Sequence, residues 1–194
     1  MMAQTNGATQ RLSGSLQLAA RRIGVRPTRF LLAVSVAKQR MSLFEKSSLN
    51  GQEVRFPEYR FQRAFVVSTS RFGTGQVIHS NQTPLGLHRI AKKVGGGNPI
   101  GTIFKARQPV GLTWQGQPYA NIVHRILWLE GMETGLNKGG DVDTFRRFVY
   151  IHGFGDELTL GRPQSHGCIH LSAADLMPLY EKLPVGTLVW IAAW

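Results

Sequence analysis

Over most of the chain, apolar and polar positions change places in short runs. Phe30 to Ala37, Arg40 to Phe44, Arg63 to Ser68, Leu87 to Val94, Asn121 to Leu129, Phe148 to His152 and Thr187 to Ala192 are apolar or alternating stretches, set apart by Gly, Pro and Asn. That pattern predicts strands joined by turns. Helical spacing occurs twice. Leu12, Leu16, Ala19, Ala20 and Ile23 recur along one face between Gln10 and Gly24, with Pro27 beyond, and predict a short amphipathic helix. A second helix is predicted from Ser172 to Leu183, with Ser172 as N-cap and Asp175 three residues later, close to a capping box. Two connections, Gly95 to Pro99 and Gln108 to Ala120, read as long flexible loops of the kind that often cover a site. The pattern therefore predicts a mainly β domain over residues 29–194. Residues 1–28 form an N-terminal basic tail and short helix, with residues 1 to 8 expected to be disordered.

The chain has 194 residues, 42% of them hydrophobic, enough for one domain with a real core and too few for two generous ones. Its net charge of +12 is uneven: Arg11, Arg21, Arg22, Arg26, Arg29, Lys38 and Arg40 precede the first acid, Glu45. Such an excess draws a protein toward any polyanion and selects none. With no zinc-finger spacing, aromatic RNA-binding signature or phosphate loop, nucleic acid is not expected as a partner. No apolar run is long enough to span a bilayer. Peripheral membrane contact through the basic N-terminus stays open. The run from Phe30 to Ala37 is read as a strand rather than as the core of an export signal.

Chemistry concentrates near the C-terminus. Tyr150-Ile151-His152-Gly153 is followed, after a polar loop, by Ser165-His166-Gly167-Cys168-Ile169-His170-Leu171. Cys168 is the only cysteine, so no disulfide forms within the chain. A cysteine reacts as thiolate and needs a base or a positive field, which histidine usually supplies. Gly153 and Gly167 permit close approach of backbone to a substrate and can leave N–H groups to face an oxyanion.

These paired motifs resemble those of the L,D-transpeptidase catalytic domain family (YkuD-like), in which a His-Gly pair is followed by Ser or Thr and then His-Gly-Cys. Thr83-Pro84-Leu85-Gly86, the strand Asn121 to Trp128, and Val185 to Ile191 are also similar to the family's pattern, so the resemblance covers roughly residues 29 to 194. It implies a mainly β fold, a mixed sheet sandwich or barrel with a few short helices and no metal or organic cofactor. It also implies that Cys168 is the nucleophile and His152 the base, with the Gly153 carbonyl orienting the imidazole. The N–H groups of Gly167 and Cys168 would form the oxyanion hole, and Ser165 and His166 would fix the loop and hold substrate. The family often carries Arg or Asn at the position of His170, which is assigned a contact to a substrate carboxylate or to the motif backbone. The implied partner is a peptidoglycan stem peptide, attacked at the amide between its diamino acid and terminal D-alanine through a thioester. Transfer to a second stem makes a transpeptidase, and transfer to water an L,D-carboxypeptidase. The family implies the cell envelope. The start Met1-Met2-Ala3-Gln4, without an export signal, keeps a cytoplasmic recycling enzyme as the alternative.

Two further readings compete. In an extended strand His166, Cys168 and His170 would share one face, and His152 could complete a zinc site. A non-catalytic wall-binding module is the other. His79, His88 and His124 are assigned no role. Trp114 and Tyr119 fall in the second loop, to pack on a stem peptide or to anchor the loop. Asp156 and Glu157 are read as solvated charges in preference to ligands for a substrate amine.

Overall fold

The computed structural model describes residues 13–47 and 58–194. The disorder expected for residues 1 to 8 and the start of the predicted helix at Gln10 lie outside the described residues. In chain order the elements are α1 (Gly14–Arg22), β1 (Phe30–Ser35), β2 (Arg40–Lys46), β3 (Tyr59–Val66), β4 (Gly86–Val94), β5 (Thr102–Lys105), β6 (Gln108–Leu112), β7 (Val123–Gly131), β8 (Tyr150–Gly153), β9 (Ile169–Leu171), α2 (Ala173–Lys182) and β10 (Leu188–Ala192). The seven predicted strands are present with shifted ends, and β5, β6 and β9 are additional.

The strands make one mixed sheet in the order β3-β2-β1-β10-β4-β7-β5-β6, while β8 pairs with β7 and β9 with β8. Only β1–β10 and β8–β9 are parallel. Phe30, Leu31, Leu32 and Val34 of β1 are all buried, because both faces of this part of the sheet are covered. Phe30, Leu32 and Val34 join the larger core with Leu176, Leu179 and Tyr180 of α2. Leu31 joins Leu16, Ala19 and Ala20 of α1 on the other face. The predicted amphipathic helix thus docks on the sheet, where burying a side chain such as Leu16 contributes about 1.5–3 kcal/mol.

Helix ends follow the predicted chemistry. Ser172 Oγ accepts the Asp175 N–H at 3.2 Å to cap α2, and Ser13 Oγ accepts the Leu16 N–H at 3.4 Å to cap α1. Gly24, just beyond α1, has φ +64°, the left-handed conformation that ends helices.

The connection read from Gln108 to Ala120 needs correction. Its first five residues are strand β6, paired with β5. Lys105 faces Gln108, so the hairpin turns on Ala106 and Arg107 alone, with φ of 48° and 67°. A two-residue turn with positive φ at both positions normally carries Asn or Gly. Without either residue the hairpin gave no turn signal.

The site rests on β7, β8 and β9. In β8–β9 Ile151 is opposite Ile169 and His152 is opposite His170. In β7–β8 Ile126 is opposite His152, and Trp128 is opposite Tyr150. Side chains alternate between faces. Ile151, Ile169 and Leu127 therefore turn into the α2 core, while Tyr150, His152, Cys168 and His170 share the opposite face.

Candidate active site

His152 is 2% exposed, and its Nδ1 lies 2.7 Å from the Gly153 carbonyl oxygen. A carbonyl only accepts, so Nδ1 carries the hydrogen and Nε2 presents a lone pair. Burial pushes the imidazole down to about 4, against the opposing pull of the Gly153 carbonyl. The ring is neutral near pH 7 and in the tautomer a general base requires. Gly153 has no room for a side chain: a β-carbon there would overlap the His124 ring and the Val123 carbonyl.

Cys168 is half-buried and packs against the wall of Phe104, Ile126, Trp128 and Tyr150. Its sulfur accepts the Tyr150 N–H at 3.4 Å and donates to the Phe148 carbonyl at 3.6 Å. Among the described residues no hydrogen bond joins the thiol to His152. The two stand on neighbouring strands, two positions apart along them, a diagonal of about 8 Å between β-carbons. Burial pushes the thiol up to about 11, and the Tyr150 N–H and the Arg147 guanidinium pull against that rise.

Cys168 and His152 are thus both uncharged in the resting protein. At pH 7 about one thiol in ten thousand is ionised at that value. The raised thiol predicts that alkylation of the free protein by iodoacetamide accelerates about tenfold per pH unit from pH 7 to 10. A rate already level near pH 7 would mean a preformed thiolate.

The loop before Cys168 is held on several sides. Ser165 Oγ donates to the Cys168 carbonyl at 2.6 Å and accepts the Gly167 N–H at 3.2 Å. Thr83 Oγ1 donates to the Gly167 carbonyl at 3.2 Å and accepts the Ser70 N–H at 3.0 Å. The Gly167 N–H is therefore occupied, and among the described residues the Cys168 N–H has no acceptor. Gly167 has φ +117°, which turns the chain between His166 and Cys168. His166 leaves the shared face for that reason and is exposed. Its Nε2 accepts from Arg71 Nη2 at 2.9 Å.

His170 is 6% exposed, stacked on Phe154 at 4.4 Å and edge-on to His152 at 4.9 Å between ring centroids. Burial first, then the neighbouring His152 and His166, push its pKa down to about 2. Its buried Nδ1 has no hydrogen-bond partner. Among the described residues no three His, Cys, Asp or Glu side chains are grouped to hold a metal ion. The face imagined for a four-ligand zinc site is broken at Gly167.

Arg147 was not visible as a site residue in the sequence. It donates to the carbonyls of Gly75, Gln76 and Gln82 at 3.1, 2.8 and 2.6 Å, and to Ser80 Oγ at 3.4 Å. It fixes the loop that carries Thr83 and sets a positive charge near the sulfur. Nothing in the spacing of Arg146-Arg147-Phe148 announces this role.

His88 is structural: its Nδ1 lies 3.0 Å from the Gly86 carbonyl and its Nε2 3.1 Å from Thr144 Oγ1. His79 has φ 64°. Glu157 Oε1 accepts the Ala173 N–H at 2.6 Å, serving the start of α2. His124 accepts the Gly101 N–H on Nδ1 at 2.8 Å, and with Trp114, Phe154 and Glu157 it lines an open cavity of about 370 Å³. Trp114 packs over Gly101, while Tyr119 is 75% exposed.

With fold and site in place, comparison assigns the class. The model of the L,D-transpeptidase catalytic domain matches residues 29–191, and the chain belongs to that family. Among solved structures it is similar to an L,D-transpeptidase from Mycobacterium smegmatis, at 17% identity over 85% of this chain and 59% of that one, with a TM-score of 0.45. It is also similar to Bd1075 from Bdellovibrio bacteriovorus, at 14% identity over 85% of this chain and 48% of that one, with a TM-score of 0.51. A third likeness is to an L,D-transpeptidase from Xylanimonas cellulosilytica, at 17% identity over 90% of this chain and 68% of that one, with a TM-score of 0.45. The chain spans about half to three fifths of the length of the first two, and at these identities the likeness is one of fold. No curated protein matches the chain. Among the described residues no helix is long and apolar enough to cross a membrane.

Proposed function

We propose that residues 29–194 form a cysteine acyltransferase acting on peptidoglycan stem peptides, with Cys168 as nucleophile and His152 as base, and that residues 1–28 are a separate N-terminal basic tail and short helix. The observation that carries this reading is the placement of the lone thiol and the free Nε2 of His152 on one face of two neighbouring strands.

In the first half-reaction Nε2 takes the thiol proton as sulfur attacks the carbonyl carbon between the diamino acid and the terminal D-alanine. The oxyanion forms against the Cys168 N–H, the donor left unpaired beside the nucleophile. The tetrahedral species collapses, the proton on Nε2 passes to the departing amide nitrogen, D-alanine leaves and a thioester remains on Cys168. An amine then attacks the thioester, His152 takes its proton, and sulfur leaves to be reprotonated. Ser165 and Thr83 hold the loop during this exchange, and the Gly153 carbonyl keeps the imidazole in one tautomer. The reaction needs neither metal nor organic cofactor. The family's substrate lies in the cell envelope, and we place the reaction there.

The test is product identification by mass after incubation with a tetrapeptide stem, with and without a second stem as acceptor. The expected products are free D-alanine, a transient adduct on Cys168 and a cross-linked dimer. Tripeptide as the only stem product would assign an L,D-carboxypeptidase. Absence of both products would remove the proposed function.

A further inference from the structure

We infer that Arg107 recognises the free carboxylate at the end of the donor stem, an inference that rests on the function proposed above. Arg107 lies in the two-residue turn of the β5–β6 hairpin, with φ 67°. Its guanidinium carbon sits 5.0 Å from the centre of the Trp128 ring and 4.9 Å from that of Phe148. Its Nη1 is 3.5 Å from Tyr150 Oη. Trp128 is itself held by Phe145, stacked at 4.1 Å. A cation over aromatic faces is attracted by the ring quadrupoles, so this charge has a fixed seat.

The seat belongs to the nucleophile's own wall. Cys168 packs against Trp128 and Tyr150, and Tyr150 gives its N–H to the sulfur. Four other arginines are already engaged. Arg29, Arg63 and Arg89 pair with carboxylates, and Arg147 is taken up by carbonyls. Arg107 has five N–H donors, one long hydrogen bond and no carboxylate partner among the described residues.

Substrate chemistry supplies the missing partner. The carboxylate carbon of a terminal D-alanine is three bonds from the attacked carbonyl carbon, so the two are about 4 Å apart. Whatever binds that carboxylate must therefore stand beside the sulfur. A planar guanidinium matches a carboxylate with two parallel hydrogen bonds. Arg107 thus selects stems that end one residue beyond the attacked bond, which makes it a specificity-determining residue.

The experiment compares D-alanine release from a tetrapeptide stem with release of D-alaninamide from the same stem carrying a C-terminal carboxamide. It uses wild type, Arg107→Gln and Arg107→Lys. In Arg107→Gln, kcat/KM for the carboxylate stem is expected to fall about 10- to 100-fold. The carboxamide stem should lose less than about threefold, and Arg107→Lys, a point charge without the fork, should fall between. The other carboxylates of the stem are common to both substrates. Equal losses on the two stems would therefore overturn the inference in favour of a role in supporting Trp128 or reading another group, and no loss on either would overturn it too. Turnover by wild type without discrimination by Arg107 removes this inference alone. Failure of wild type to release either product removes the proposed function and this inference with it.

Discussion

Replacing Cys168 with alanine is expected to slow D-alanine release by at least about 10⁴-fold, to the limit of detection, while lowering the melting midpoint by only about 2–4 °C. The two effects separate because the sulfur contributes little to the fold. It is half-buried, and its two hydrogen bonds are the weak kind that sulfur makes, at 3.4 and 3.6 Å. Truncation leaves a small gap at the edge of the Trp128 wall rather than in the α2 core, a cost of about 1 kcal/mol. Chemistry has no substitute for it: the described face offers no second thiol, and Ser165 Oγ is committed to the Cys168 carbonyl. Release that survives in Cys168→Ala would remove sulfur from the mechanism.

Replacing His152 with alanine is expected to lower kcat by about 10²- to 10⁴-fold, the usual worth of a positioned base. The change should also alter the pH profile. In wild type the base must be neutral, and burial holds it neutral down to about pH 4. Activity should therefore persist through mildly acidic pH and fall only as pH drops through that value. Without the imidazole the thiol must ionise unaided, and its pKa of about 11 makes residual activity rise about tenfold per pH unit from pH 7 to 10. Parallel profiles for wild type and His152→Ala, measured as kcat against pH with melting checked at each point, would deny His152 the part of base.

The sequence disclosed those parts of the site whose signals are local. Ser172 and Asp175 marked the start of α2, apolar runs marked β7 and β8, and the only thiol beside Ser165-His166-Gly167 marked the loop before β9. What stayed hidden depends on distant approach. Arg147 meets Gly75, Gln76 and Gln82 through a folded loop, and Arg107 reaches Trp128 and Phe148 from a turn whose residues carry no turn signature. The conformation at Gly167 was similarly out of reach. Alternation in His166, Cys168 and His170 suggested one face, yet the positive φ between the first two sends His166 to solvent. The strand β9, only Ile169–Leu171, is too short for periodicity to show.

The parallel pairing of β8 and β9 has a consequence for how freely this chain can vary. Parallel neighbours cannot be joined by a tight turn and require a crossover of a dozen or more residues, here residues 154–168. The ladder, not the crossover, sets the spacing between the imidazole and the sulfur, because Ile151 and Ile169 are locked opposite each other beneath them. Insertions in the exposed part of that crossover, around Leu158 and Arg162, would leave His152 and Cys168 in register. The surface of the crossover is thus free to diversify without drawing the imidazole and the thiol apart.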